Sequence, residues 1–349
     1  MGEKRAPKRW RAKDQRHVNV LITGGAGFIG SHLAEEQLNR GRRVHIVDDL
    51  STGRIANIVH LKGQPRFSYT IETIMNGALM TELIDAADVV FHMAAAVGVR
   101  LIFERPVHTI ETNIKGTEIV LERTARKGKK VFVASTSEVY GKGDATPFCE
   151  EEDMILGPTT CPRWCYACSK AIDEYLALAY HKEQGLPVVI GRLFNTVGPR
   201  QVGQYGMVIP RFIEQALRGE PLLVHGDGRQ TRSFCHVRDT IQAISDLMEH
   251  PDAAGEVFNI GSDEEIAIGD LAQRVIALLE SRSEVRLVPY ESVYGPQFED
   301  LRRRVPSVEK LRRYIKFGPL VGIGEIIRET ADAMRDEWKS GQSPPSSSG

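Results

Sequence analysis

The chain has 349 residues, of which 42% are hydrophobic and 26% charged, and its formal net charge is -1. A chain longer than the roughly 100–200 residues of one domain predicts one large domain or two closely joined ones. The near-neutral charge argues against nucleic acid or a membrane surface as a partner, and no run reaches the roughly 18 apolar residues that a membrane helix needs.

The two ends of the chain have the composition of disordered tails. Residues 1–17 are basic and lack the apolar stretch of a signal peptide, and residues 339–349 are rich in Ser, Pro and Gly. Ala6 stands where an N-myristoylation signal has Ser or Thr, which disfavours lipidation. We therefore expect a cytoplasmic protein with a disordered tail at each end.

Residues 18–194 alternate short apolar runs with amphipathic stretches. Strands are predicted for VNVLIT, RRVHIVDDL, DVVFHMAAA, KKVFVAST and LPVVIGRLF, and helices for SHLAEEQLNRGR, NIKGTEIVLERTARKG and KAIDEYLALAYHKEQG. Strands that alternate with helices form a parallel sheet covered on both faces. The sequence thus predicts an α/β domain with a doubly wound parallel sheet over residues 18–194.

After about Asn195 the sequence changes to loops rich in Gly and Pro. Two helices, IPRFIEQALRG and DLAQRVIALLE, are predicted within this part. We interpret residues 195–338 as a smaller domain that stands over the sheet. Part of residues 231–260 is expected to return to the first domain.

A glycine loop joins the first predicted strand to the first predicted helix. Glycine lets the backbone approach a pyrophosphate, and the helix N-terminus presents free N–H groups and the positive end of its dipole. Glycines alone could serve a tight turn, but the strand, loop and helix together favour a dinucleotide site. Its expected cofactor-binding residues are Gly24, Gly27, Phe28, Ile29 and Gly30.

Asp48 ends the second predicted strand, about twenty residues after the loop. A carboxylate there accepts hydrogen bonds from the ribose hydroxyls of adenosine and repels a 2′-phosphate. The sequence therefore favours NAD over NADP as the cofactor.

Tyr166 and Lys170 are four positions apart near the start of a predicted helix, so they share one face. A phenol ionises only near pH 10 unless positive charge stabilises the phenolate, and an ammonium and a nicotinamide ring can supply that charge. A surface tyrosine beside a solvated lysine would show the same spacing. The pair therefore indicates a catalytic site only in combination with the neighbouring motifs.

Three cysteines, Cys161, Cys165 and Cys168, form a C-x3-C-x2-C spacing. Radical enzymes use this spacing to hold an iron–sulfur cluster. Such a motif should follow the first strand of a barrel, whereas these residues lie in the middle of the chain beside Tyr166. We therefore expect free cysteines that fill small apolar positions, with no metal and, in a reducing cytoplasm, no disulfide.

Taken with the segment Ser135-Thr136-Ser137-Glu138 after a buried strand, these motifs resemble the extended short-chain dehydrogenase/reductase family from about Val18 to Trp338. The resemblance implies a Rossmann domain with a small C-terminal substrate-binding domain, a nucleotide-sugar substrate and a homodimer formed through two long helices. It also implies that Thr136 hydrogen-bonds the sugar 4-hydroxyl, that Tyr166 takes its proton and that Lys170 holds the nicotinamide ribose.

The resemblance extends to the substrate. It implies that Asn195 and Arg232 contact the nucleotide diphosphate and that Ser137 is a further substrate contact; a guanidinium fork matches phosphate oxygens. One segment departs from the family, which often has Asp and an apolar residue after the third strand to cradle adenine. This chain has Thr70-Ile71-Glu72-Thr73 instead, so its adenine contacts are left open.

Members of this family first oxidise C4 of the sugar and then differ in the fate of the keto sugar. It is epimerised, dehydrated at C6, or decarboxylated if it carries a C5 carboxylate. Glu138 argues against the simplest epimerase, and Ser137 stands where dTDP-glucose dehydratases have Asp. A protein that only senses NAD would not need Thr136, Tyr166 and Lys170 together.

Two segments, GPTTCPRWCY over residues 157–166 and RRRVPS over residues 302–307, are similar to UDP-glucuronic acid decarboxylases. In that resemblance Glu138 and Arg304 lie at the sugar carboxylate, and Arg163 belongs to the first of the two segments. An arginine can hold the carboxylate and stabilise the enolate, and Glu138 can transfer a proton. We therefore expect conversion of UDP-glucuronate to UDP-xylose, with a UDP-sugar or UDP-uronic acid 4-epimerase and then a 4,6-dehydratase as alternatives.

Overall fold

The computed structural model describes most of the chain between its two predicted tails. The described residues are 18–98, 104–143, 146–203, 207–290, 292, 302–318 and 321–339. The tails predicted as disordered, 1–17 and 339–349, lie outside these residues except for Lys339.

A seven-stranded sheet is the centre of the fold, and its neighbouring strands all pair in parallel. From edge to edge its strands are β11 (Glu256–Ile260), β6 (Val188–Leu193), β5 (Lys130–Thr136), β4 (Val89–His92), β1 (Asn19–Thr23), β2 (Arg43–Asp48) and β3 (Phe67–Ile71). The order reverses at β1, which lies between β2 and β4. A crevice forms beyond the carboxyl ends of the strands at such a point.

Helices cover both faces of this sheet, which confirms the predicted doubly wound α/β fold. Successive β1 side chains point to opposite faces: Val20 and Ile22 pack in one buried cluster, and Leu21 packs in another. The helices in chain order are α1 (Phe28–Asn39), α2 (Gly77–Ala86), α3 (Pro106–Lys127), α4 (Arg163–Gln184), α5 (Val208–Arg218), α6 (Val237–Glu249), α7 (Ile268–Leu278), α8 (Glu309–Tyr314) and α9 (Ile323–Lys339). Within the described residues, no helix has both the length and the apolar character needed to span a membrane.

Short strands and 3₁₀ turns complete the described structure. The strands are β7 (Thr196–Val197), β8 (Leu222–His225), β9 (Thr231–Ser233), β10 (Cys235–His236), β12 (Glu265–Ala267), β13 (Val285–Val288) and β14 (Arg303–Arg304), and the turns are Ile55–Asn57, Val59–Leu61 and Ser137–Tyr140. A third buried cluster packs α5, α7 and α9 around β8. Although α6 and β11 come late in the chain, α6 packs on α1 and β11 pairs with β6.

Two element boundaries differ from the predicted ones. The helix that carries Lys170 begins at Arg163, whereas the predicted segment begins at Lys170 itself. The ends of the two long helices agree with the prediction, since each is followed by a glycine in the left-handed conformation, Gly128 or Gly185. Pro106 starts α3 well before the predicted segment, because a proline costs no hydrogen bond in the first turn of a helix.

Candidate active site

A cavity of about 510 Å³ lies at the carboxyl ends of the central strands, above the point where the strand order reverses. Of the residues predicted as site residues, Lys170 alone does not line it; it is 2% exposed and lies one helical turn below Tyr166. The predicted residues brought together around the cavity are Gly24, Gly27, Phe28, Ile29, Gly30, Asp48, Thr136, Ser137, Glu138, Arg163, Tyr166, Asn195, Arg232 and Arg304.

The glycine loop needs its glycines for close backbone approach. Gly24 has a φ of +68°, and a Cβ there would lie 2.8 Å from the Ala94 backbone. A Cβ on Gly30 would lie 2.1 Å from the Gly24 carbonyl oxygen. Helix α1 begins at Phe28 with neither a side-chain cap nor an acidic residue in its first turn. No side chain of the helix itself therefore occupies its first N–H groups, and Phe28, Ile29 and Gly30 line the cavity, which fits a pyrophosphate there.

Asp48 braces this loop as well as lining the cavity. One carboxylate oxygen accepts a hydrogen bond from Ala26 N (2.9 Å), and the other accepts one from Leu50 N (2.8 Å). Burial raises the pKa of Asp48, while these backbone hydrogen bonds lower it, and the net pKa lies above the ordinary value. The carboxylate fits the ribose end of a dinucleotide bound along the loop.

The end of β3, where adenine contacts were expected, differs from the sequence interpretation. Thr70 and Ile71 belong to β3 itself rather than to the segment after it, and Glu72 N bonds to the Asp48 carbonyl. Just beyond β3, the apolar residue that lines the cavity is Ile74, three positions after Ile71. We missed it because the end of an exposed edge strand is hard to place from its sequence.

The Tyr166 phenol is buried between β5 and the start of α4, with 8% of the residue exposed. Burial raises the pKa of Tyr166, the negative charges of Glu138 and Asp173 raise it further, and a hydrogen bond with Thr136 opposes them. The pKa therefore lies well above that of free tyrosine, and the phenol is protonated at neutral pH.

Glu138, Arg163 and Arg304 form an ion-paired group, which we call the acid–arginine cluster. Glu138 accepts a short hydrogen bond from Arg304 Nη1, and its other oxygen lies 3.6 Å from Arg163 Nη2. Burial opposes ionisation of Glu138, but the charges of Arg304, Arg163 and Arg232 prevail and lower its pKa to about 2. The cluster therefore holds an ionised carboxylate at neutral pH.

Pairing of short strands brings the predicted phosphate contacts to the cluster. Strand β14 pairs with β9 so that Arg304 lies opposite Arg232, which is 8% exposed. Asn195 donates to the Ser233 carbonyl (2.8 Å), and its side-chain oxygen lies 3.4 Å from Arg304 Nη2. Ser137 is 3% exposed and lies at the same end of the cavity.

The far end of the cavity contains residues that we did not predict. The rings of His225 and Tyr290 are 6.5 Å apart at 73°, and Arg211 Nη1 lies 3.0 Å from His225 Nε2. Aromatic faces beside a guanidinium suit a planar base. No local motif marks these positions, since β8 and the segment of Tyr290 meet only in the folded chain.

The three cysteines of the C-x3-C-x2-C spacing lie in different environments. Cys161 is buried, Cys165 is partly buried and Cys168 is exposed, and all three are free thiols. Among the described residues, no group of three or more His, Cys, Asp or Glu side chains is arranged to hold a metal ion. The structure thus gives the iron–sulfur interpretation no geometric support.

The sequence also matches known proteins over most of its length. The NAD dependent epimerase/dehydratase family matches residues 20–261. A UDP-N-acetyl-alpha-D-glucosaminuronate decarboxylase of Bacillus cytotoxicus is 45% identical over 317 residues, which cover 90% of this chain and 97% of that protein. UDP-glucuronic acid decarboxylase 1 of Danio rerio is 34% identical over 91% of this chain and 72% of its own length.

One solved structure is similar to this chain over most of its length. The UDP-glucuronic acid 4-epimerase from Bacillus cereus, solved in complex with UDP-glucuronic acid and NAD, superposes with a TM-score of 0.82 at 30% identity, over 91% of this chain and 99% of that chain. These matches confirm the resemblance to the extended short-chain dehydrogenases. The chain belongs to the NAD-dependent epimerase/dehydratase family.

Proposed function

We propose that the protein removes the carboxyl group of a UDP-uronic acid as carbon dioxide, with UDP-glucuronate converted to UDP-xylose. The acid–arginine cluster is the observation that carries this proposal, because it lines the same cavity as Thr136 and Tyr166. With NAD as the hydride acceptor, oxidation at C4 requires an acid–base group there and no further charged residue. Two guanidinium groups in the same cavity suit the carboxylate of the sugar.

The glycine loop and Asp48 would hold NAD, which when bound takes a hydride from C4 of the sugar and later gives it back. Thr136 hydrogen-bonds the 4-hydroxyl, and Tyr166 takes its proton and returns it to the oxygen when the hydride comes back to C4. Since burial keeps the phenol protonated in the free protein, positive charge near Tyr166 must favour its ionisation when cofactor and substrate are bound. Lys170 supplies part of that charge and is assigned to the nicotinamide ribose.

The acid–arginine cluster acts on the carboxylate. Once C4 is a ketone, the C5–C6 bond breaks and its electron pair passes into an enolate across C5 and C4. Arg304 and Arg163 hold the carboxylate and stabilise this charge. The sugar carboxylate competes with Glu138 for both arginines, which raises the proton affinity of Glu138. Glu138 then carries a solvent proton to C5.

The rest of the cavity would hold the nucleotide. Arg232 and Asn195 contact the diphosphate, and Ser137 contacts the substrate between the diphosphate and the reacting carbon. The far end, with His225 and Tyr290, takes the uracil ring. In this order the sugar would lie between Tyr166 and the acid–arginine cluster.

The substituent at C2 of the sugar defines a second candidate substrate. The Bacillus cytotoxicus relative is named for an N-acetylated uronic acid, and this relative favours UDP-N-acetylglucosaminuronate. Both substrates present the same carboxylate to the cluster. Incubating the protein with each of them, and with UDP-glucose as a substrate without a carboxylate, and identifying products by NMR tests the proposal. UDP-xylose or its 2-acetamido counterpart is expected, whereas UDP-galacturonate with C6 retained would establish a 4-epimerase.

We also propose a homodimer formed through α3 and α4, which pack against each other. Large apolar side chains remain exposed on these helices: Val107 (69%) and Ile110 (37%) on α3, and Ile172 (41%) and Tyr175 (66%) on α4. Each pair is three residues apart and so shares a helix face. Light scattering should give twice the mass of the chain and should give the monomer mass for Tyr175→Glu. A monomeric wild-type protein would contradict the dimer.

Cytoplasmic location is proposed as well. The five cysteines are all free, and free thiols suit a reducing compartment. Fractionation of cells that produce the protein should place its activity with the cytoplasmic enzymes, and recovery outside the cytoplasm would contradict this location.

A further inference from the structure

A buried carboxylate lies directly beside the lysine of the Tyr-Lys pair. Asp173 Oδ2 is 2.7 Å from Lys170 Nζ, and the two side chains are 0% and 2% exposed. The residues are three apart in α4, so the helix itself fixes the contact. Water cannot screen a pair at this depth, so its charges act on neighbouring groups more strongly than surface charges would.

The groups that face this pair come from several elements. His92 at the end of β4 is neutral at physiological pH, because burial and the Lys170 charge lower its pKa to about 3. Thr117 of α3 lies beside Asp173 and hydrogen-bonds His92 (3.0 Å), and the next residue, Glu174, is paired bidentately with Arg192. Burial raises the pKa of Asp173, and the Lys170 charge opposes this rise. Among the described residues, the charged groups near Tyr166 therefore include Lys170, Asp173 and Glu138, with Arg163 and Arg304 bound to Glu138.

We propose that Asp173 is a positioning residue that restrains ionisation of Tyr166, because its negative charge offsets the positive charge of Lys170 and fixes the direction of its ammonium. The proposal rests on the proposed function in that Tyr166 is taken as the base. The proposed function assigns Lys170 to the nicotinamide ribose, and its pairing with Asp173 largely compensates its charge. The phenol then stays protonated until cofactor and substrate add their own interactions.

The sign of the effect is set by electrostatics. A negative charge disfavours the phenolate, and the Asp173 charge contributes to raising the pKa of Tyr166. Removing that charge while keeping the side-chain shape should let Tyr166 ionise at lower pH. Looser packing would also lower this pKa, because it would admit water to the buried phenol. The near-ultraviolet circular dichroism of the variant must therefore match that of the wild-type protein.

The test compares the NAD-loaded wild-type protein with Asp173→Asn, which keeps an oxygen acceptor for Lys170. Tyrosinate absorbance is titrated for each protein, and the curve of the same background with Tyr166→Phe is subtracted, which isolates Tyr166 without requiring turnover. The acid limb of kcat/KM against pH is then measured with UDP-glucuronate. We expect both curves of Asp173→Asn to move to lower pH by about one unit, the lower end of the effect of a nearby charge.

The control is Asp85→Asn, which breaks an exposed pair with Lys127 at 2.9 Å and should move neither curve. Asp173→Ser removes the charge with a smaller side chain and replaces the asparagine variant if that variant does not fold. A curve for Tyr166 that stays in place or moves to higher pH would overturn the proposal. Failure to decarboxylate any UDP-uronic acid would instead overturn the proposed function, since the absorbance titration is independent of it.

Discussion

Arg304 donates a short hydrogen bond to Glu138, although 166 positions separate the two residues in sequence. Glu138 lies in the turn after β5, and Arg304 reaches it because β14 pairs with β9. Without Arg304, Glu138 would keep Arg163 at 3.6 Å as its ion-pair partner. The contact therefore joins the end of the central sheet to the C-terminal part of the site.

Tyr166→Phe should preserve folding and NAD binding but lower turnover by roughly a hundredfold or more, the range for losing a positioned acid–base group. The phenol oxygen is removed while the buried ring remains. Steady-state rates and NAD affinity are measured together, with Tyr180→Phe as the control, because Tyr180 lies on the same helix and does not line the cavity. Near-normal turnover of Tyr166→Phe would remove this residue from the mechanism.

Gly30→Ala should abolish NAD binding, since its Cβ would lie 2.1 Å from the Gly24 carbonyl oxygen and force the loop apart. Calorimetric titration with NAD measures the effect. Gly322→Ala is the matched control, because a Cβ there has no neighbour within 4 Å. Wild-type affinity in Gly30→Ala would show that the loop does not hold the pyrophosphate.

Glu138 should make stability depend on pH. Its pKa falls from 4.5 to about 2 on folding, so its ion pairs stabilise the fold fully above about pH 4.5 and lose that contribution as the pH falls toward 2. The melting temperature of Glu138→Gln should lie a few degrees below wild type at pH 6, and the gap should narrow at pH 3. Glu111→Gln, an exposed pair with Lys115, should show a smaller gap because water screens it. A gap for Glu138→Gln that widens toward pH 3 would contradict the ion pairing.

Replacing Cys161, Cys165 and Cys168 together by Ser should cost about 1 kcal/mol of stability and leave the chemistry intact. Only Cys161 is fully buried, so packing loss is small. Denaturant unfolding, activity and iron content are measured on the same preparations. Stoichiometric iron in the wild-type protein, with activity lost in the variant, would restore the iron–sulfur interpretation.

Motifs formed by residues close together in the sequence were predictable, whereas contacts between residues far apart in the sequence were not. The loop from Gly24 to Gly30 and the pair Tyr166 and Lys170 are short motifs whose geometry is set by one turn or one helix. The proximity of Arg304 to Glu138 could be expected only through family resemblance, because it depends on a two-residue strand pairing far along the chain.

Other parts of the site had no usable signal. His225 and Tyr290 come from separate segments without a shared motif. Asp173 was visible three positions from Lys170, but that spacing is common on exposed helix faces, and burial decides its effect. Ile74 was missed because the end of β3 was placed too early.

Release of carbon dioxide from C6-labelled UDP-glucuronate tests the central claim most directly. Wild type should release label stoichiometrically with UDP-xylose. Arg304→Ala should release it at least a hundredfold more slowly, while NADH absorbance still builds up from oxidation at C4. Arg303→Ala, which removes a neighbouring arginine that is 49% exposed and paired with Glu265, should behave like wild type. Retention of all label in UDP-galacturonate by the wild-type protein would contradict decarboxylation.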